Sequence, residues 1–79
     1  MRDMKEELVV SFFSTADAMR AEELCRAAAV PGRLIPLPPD IHADCGLAWR
    51  LPIEKRPELD RALKGKLKPA GFFRHSFRW

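Results

Sequence analysis

The sequence predicts an α+β domain in which a four-stranded antiparallel sheet carries two helices on one face. Three observations lead there. Short apolar or alternating stretches read as strands at 8–13, 33–37, 46–51 and from Gly71 onward, two segments have helical spacing, and together they follow the order strand, helix, strand, strand, helix, strand.

Leu8 to Phe13 is a compact apolar run with two valines and two phenylalanines, bounded by Ser14-Thr15 and too short for a helix. It reads as a buried, central strand. Ser14 or Thr15 is placed to cap a following helix that runs to about Ala29, and Asp17 adds negative charge near its positive end. Ala18, Ala21, Leu24, Cys25 and Ala28 recur on its inner side, while Glu22 and Arg26 form an i,i+4 pair on the outer one. Cys25 therefore reads as core. Val30-Pro31-Gly32 ends the helix, and Arg33-Leu34-Ile35-Pro36-Leu37 reads as a second strand whose Pro36 confines it to a sheet edge.

In Gly46-Leu47-Ala48-Trp49-Arg50-Leu51 the apolar Leu47, Trp49 and Leu51 alternate with Gly46, Ala48 and Arg50, so Arg50 faces away from the core. Pro57 suits the first turn of a short helix that turns Leu59, Ala62 and Leu63 inward, with Gly65 at its C-terminal end. From Gly71 the last strand places Phe73, His75, Phe77 and Trp79 on one face and Phe72, Arg74, Ser76 and Arg78 on the other. This order is the split βαβ pattern of ferredoxin-like domains.

Composition sets the context. A chain of 79 residues, 47% hydrophobic and 32% charged, has the balance of one small globular domain spanning 1–79 rather than a disordered segment. Two cysteines are too few for a disulfide scaffold, no run is long enough to span a bilayer, and the charged start lacks a signal-peptide core. The expectation is a cytoplasmic protein with reduced thiols and no membrane partner. The net charge of +3 is uneven: Lys64, Lys66, Lys68, Arg74 and Arg78 meet no Asp or Glu, and the rest of the chain is slightly acidic. An anionic partner is one reading of that quarter, and a surface kept soluble by lysine is the plainer one.

The connection 36–46, Pro36-Leu37-Pro38-Pro39-Asp40-Ile41-His42-Ala43-Asp44-Cys45-Gly46, carries the most functional information. It is longer than the roughly two to five residues of ordinary hairpin loops. Its prolines stiffen the approach, and Gly46 permits close approach to the backbone beside Cys45. The reading is an accessible thiol at a loop edge. A thiolate needs positive charge or N–H donors, which His42, Arg50 and the Gly46 main chain are placed to supply, whereas Asp44 opposes it.

Ser14-Thr15 opening a helix with Ala21-Glu22-Glu23-Leu24, then Leu34-Ile35-Pro36-Leu37-Pro38 and Asp44-Cys45-Gly46-Leu47-Ala48-Trp49-Arg50, resembles the small selenium/sulfur carrier protein-like family of bacteria over about residues 7 to 65. The resemblance implies that Cys45 accepts a sulfur or selenium atom as persulfide or perselenide and hands it on, with Gly46 and Arg50 as matching surroundings. It implies a carrier more than a turnover enzyme, with no cofactor. The partners would be a protein donor, such as a cysteine desulfurase, and an acceptor in sulfur or selenium metabolism, and a homodimer is compatible with it. Pro39 departs from the basic or polar residue of the family pattern, and the basic aromatic tail is longer than the family needs.

Plainer readings stand beside these. Cys45 also reads as a small hydrophobe at a strand start, and His42 as a solvated loop residue. His42-x-x-Cys45 would need Cys25 and His75 from distant elements to complete a metal site, so no metal is expected. Two further classes remain. One is a regulatory or protein-interaction module pairing through the open sheet face of Val9, Ser11, Phe13 and Ala48. The other is a nucleic-acid binder using Phe72, Phe77 and Trp79 with Arg74 and Arg78, against which the first strand, without tyrosine or a basic residue, argues.

Overall fold

The computed structural model describes residues 4–41 and 45–78. Strand β1 (Met4–Ser11) leads to helix α1 (Thr15–Ala27), then to strands β2 (Arg33–Pro36) and β3 (Leu47–Leu51). A 3₁₀ turn (Ile53–Lys55), helix α2 (Arg56–Leu63) and strand β4 (Gly71–Arg78) complete the order. The sheet is antiparallel with strand order β2-β3-β1-β4, so the chain has the ferredoxin-like arrangement. Pro36 ends β2, which lies at the edge as its missing N–H requires.

Helices α1 and α2 cover the face that carries Leu8, Val10, Trp49 and Leu51, and enclose Ala18, Ala21, Cys25, Leu59, Ala62 and Leu63 with them. Among the described residues no helix covers the other face, yet Val9, Ser11 and Ala48 upon it are buried. Directly paired residues share a face, so Val9 lies between Arg50 of β3 and Phe73 of β4. Bulky neighbours replace a second layer there. Phe13 was expected on this face, but β1 ends at Ser11 and Phe13 is exposed at 54% while Phe12 enters the core. At its other end β1 begins four residues earlier than its apolar run, because Lys5 and Glu7 alternate with the core positions and pair with β4.

Helix α1 starts at Ser14, whose Oγ accepts from the Asp17 N–H at 3.1 Å. It stops at an unusual residue. The Val30 N–H donates to Cys25 O and the Ala29 N–H to Arg26 O, the paired bonds of a Schellman motif, with Ala29 in the left-handed region at φ 57°. Ala28, expected inside, is therefore exposed at the turning point. Gly32 follows at φ +127°, where a Cβ would come within 2.4 Å of Arg50 O and 2.6 Å of Trp49 Nε1. No larger residue fits there. Past α2, the Lys66 N–H donates to Leu63 O across a tight turn whose third residue, Gly65, has φ +73°.

The left-handed Ala29 gives a stability prediction. Ala29→Gly keeps both cap bonds and removes a penalty of roughly 1 kcal/mol, so the melting temperature should rise by about 4–8 °C, measured by circular dichroism.

Candidate functional site

The β2–β3 connection is closed at its neck, where the Leu37 N–H donates to Gly46 O at 2.8 Å. Pro38 is buried beyond it, and the Ile41 N–H donates back to Pro38 O at 3.0 Å, which makes Pro38 to Ile41 a turn. Pro39 takes the second position of that turn, which its fixed φ suits. From there Asp40 reaches His75 of β4, with a carboxylate oxygen 3.6 Å from Nδ1.

Cys45 lies inside this neck, and its thiol turns inward. The residue is only 2% exposed and joins the hydrophobic core between sheet and helices, which corrects the expectation of an accessible thiol at a loop edge. The physical reason is the Leu37–Gly46 bond: it ties the exit of the connection to β2, so the residue before Gly46 is drawn beneath α1 instead of displayed. Sγ accepts from the Leu47 N–H at 3.3 Å and lies 3.9 Å from Oγ1 of Thr15, the first residue of α1. Both Thr15 and Gly46 are exposed, so the sulfur sits directly below the surface. A sulfur bearing negative charge would meet one main-chain donor and the positive end of a helix.

The other predicted site residues fall in different places. Gly46 is exposed, and a Cβ there would touch nothing within 4 Å, so the approach to the backbone beside Cys45 is open. Arg50 faces away from the helices, as its alternation requires, and is thereby separated from Cys45 by the sheet. Its Nε donates to Glu7 Oε1 at 2.6 Å, and its guanidinium lies 3.6 Å from the ring centre of Phe77. Their side chains are 14% and 8% exposed, and Lys5 Nζ adds a contact to Glu7 at 3.8 Å. Arg50 thus roofs Val9 and pairs with Glu7. His42 and Asp44 lie outside the described residues, as does Trp79.

Cys25 is the contrast. It is fully buried on the inner side of α1, and burial pushes its thiol up from 9.0 to about 11. Both cysteines are free. Among the described residues no group of three or more His, Cys, Asp or Glu side chains is placed to hold a metal ion. None of the helices in the described residues is long and apolar enough to cross a membrane. The aromatic tail is engaged rather than open: Arg56 lies 3.9 Å from the Phe72 ring centre, and His75 meets Phe77 edge-on at 4.8 Å.

Sequence reasoning missed Thr15 and the Leu47 N–H as neighbours of the thiol, and Glu7 as the partner of Arg50. The last had a signal. Glu7 is two residues before Val9, so it shares the face on which Arg50 was placed.

A model of the family described as Putative Se/S carrier protein-like matches residues 7–74. That span includes Cys45, Gly46, Arg50 and the first half of β4. No curated protein and no solved structure matches the chain.

Two predictions follow from this geometry. Arg50→Ala removes the nearest partner of the buried Glu7 carboxylate, leaving it Lys5 at 3.8 Å, and should cost about 3 kcal/mol in urea unfolding, and the Glu7→Ala, Arg50→Ala double variant should lose less than the sum of the single losses. Cys25 makes stability pH-dependent: its folded-state pKa is raised, so its contribution is complete below about pH 9 and declines as pH rises toward about 11. Two pH units correspond to roughly 2–3 kcal/mol, which should appear as a steeper alkaline loss in the wild type than in Cys25→Ala.

Proposed function

From the premise that this chain belongs to the Putative Se/S carrier protein-like family, we propose that it carries a sulfur or selenium atom on the thiol of Cys45. One observation supports Cys45 over Cys25 as the carrying group. Cys45 lies just under exposed Thr15 and Gly46 with an N–H donated to its sulfur, whereas Cys25 is fully buried on the inner side of α1 and has its thiol pushed up.

In the chemistry we infer, the Cys45 thiolate attacks the terminal sulfur of a donor persulfide, R–S–SH. The donor S–S bond breaks, R–S⁻ leaves with its electron pair, and Cys45–S–SH forms. An acceptor nucleophile then attacks the terminal atom, and the Cys45 thiolate leaves. With a perselenide the terminal atom is selenium and the electron count is the same. Each transfer is an exchange, so no outside oxidant or reductant enters. A donor such as a cysteine desulfurase and an acceptor protein of sulfur or selenium metabolism are the implied partners, in a cytoplasmic setting where thiols stay reduced.

The burial of Cys45 requires that its cover of Thr15 and Gly46 part locally at each transfer. Exposed Gly46, with open space where a side chain would stand, lets a partner approach the thiol from the solvent side. The same burial favours a second reading, in which Cys45 only fills the core and the domain is an interaction module. Thiol reactivity separates the two.

Reduced protein incubated with a cysteine desulfurase and either cysteine or selenocysteine, so that the donor is the enzyme-bound persulfide or perselenide, should gain the mass of one chalcogen atom. Reductant should remove it, and Cys45→Ser should lack it. In the native state Cys45 should react with a small thiol reagent much faster than Cys25. A gain on Cys25 alone, no gain, or equal protection of both thiols overturns the carrier reading.

A further inference from the structure

The two edges of the sheet are unequal. Edge strand β2 has four residues and ends in Pro36, which has no N–H to offer. Edge strand β4 has eight residues, and its register with β1 runs without interruption from Gly71 to Arg78. Natural proteins blunt exposed edges with proline, a bulge or a covering segment, because unpaired N–H and C=O groups recruit other strands. Strand β4 contains no proline, and among the described residues β1 is its one neighbour in the sheet.

Charge selects the occupant. Lys64, Lys66 and Lys68 are exposed on the approach to β4, and Arg74 is exposed within it, 67% open and held to Glu6 only at 3.8 Å. From Lys64 to the C-terminus the sequence has five Lys and Arg residues and no Asp or Glu. Two such edges brought together would set like charges against each other, which disfavours a second copy. An acidic strand meets no such repulsion.

We propose that the outer edge of β4 is a docking edge for an acidic extended segment of a partner protein, which adds to the sheet as a fifth strand. Main-chain hydrogen bonds would supply much of the affinity, and the basic residues of β4 and its approach the preference for Glu and Asp. Position gives the edge a use. Gly71 pairs with Ser11, which also pairs with Ala48, so β4 begins at the end of the sheet where β3 leaves Cys45. A segment added there would bring its protein to the thiol's end of the domain. That use rests on the carrier reading; the docking itself does not.

The test uses the full chain, as wild type and Cys45→Ser, with a ten-residue peptide alternating glutamate and valine and a control peptide carrying lysine for glutamate. Hydrogen exchange followed by NMR should show the acidic peptide newly protecting alternate amides within 71–78 in both proteins, and the control protecting none. Affinity should fall with added salt, and Arg74→Glu should weaken it by about tenfold or more. Arg74→Gln, the milder change, should weaken it less while leaving the melting temperature near the wild-type value. No protection in 71–78, protection at 33–36 instead, or equal binding of the lysine peptide overturns the proposal. So does a concentration-dependent dimer protected at 71–78 without peptide, or stronger protection of that edge by a uridine oligonucleotide. Docking that survives in Cys45→Ser while mass gain fails in the wild type would separate this edge from the carrier chemistry.

Discussion

Burial of β1 on both faces is the constraint from which the rest of the structure follows. Val10 meets the helices and Val9 meets none, yet both are completely shielded. The described residues form two α-helices, and both are used on one side. The opposite side must then be closed by side chains from neighbouring strands. Hence the guanidinium of Arg50 lies over Phe77, Phe73 stands beside Val9, and the β2–β3 connection returns to meet His75 through Asp40. A buried carboxylate at Glu7 is tolerated because Arg50 must be there anyway. The ion pair belongs to the closure of the sheet, which is why it is remote from the thiol.

The two cysteines show how different the surroundings of two sulfurs in one core can be. Both belong to the same core. Cys25 is surrounded by apolar groups, and desolvation holds its proton well beyond neutral pH. Cys45 is at the margin of that core, beside a hydroxyl and a main-chain donor and beneath two exposed residues. The difference comes from where each element ends. Cys25 is inside a helix, while Cys45 precedes a strand at a neck that the Leu37–Gly46 backbone bond closes.

Much of this was legible in the residues because the signals were local. Pro36 forces an edge, alanines at helical spacing give the inner side of α1, and alternation in β3 sets Trp49 inward and Arg50 outward. What escaped was set by contacts between distant segments. The inward turn of Cys45 depends on Leu37 bonding to Gly46 across ten residues of chain, and no local pattern announces it. The early start of β1 was hidden by Lys5 and Glu7, whose charge resembles a loop until β4 is seen alongside. Ala29 escaped for the opposite reason: left-handed helix ends are usually marked by glycine, and here that mark is missing.

The contact between Gly32 and Trp49 makes the large ring depend on a glycine far away in the chain. The indole and the neighbouring carbonyl of Arg50 occupy the volume where a side chain at position 32 would stand. That carbonyl and the φ of +127° belong to the backbone, so a smaller ring at 49 would still not admit a side chain at 32. The dependence runs one way: position 32 stays glycine whatever stands at 49, whereas the large ring at 49 has its place only because 32 carries no side chain.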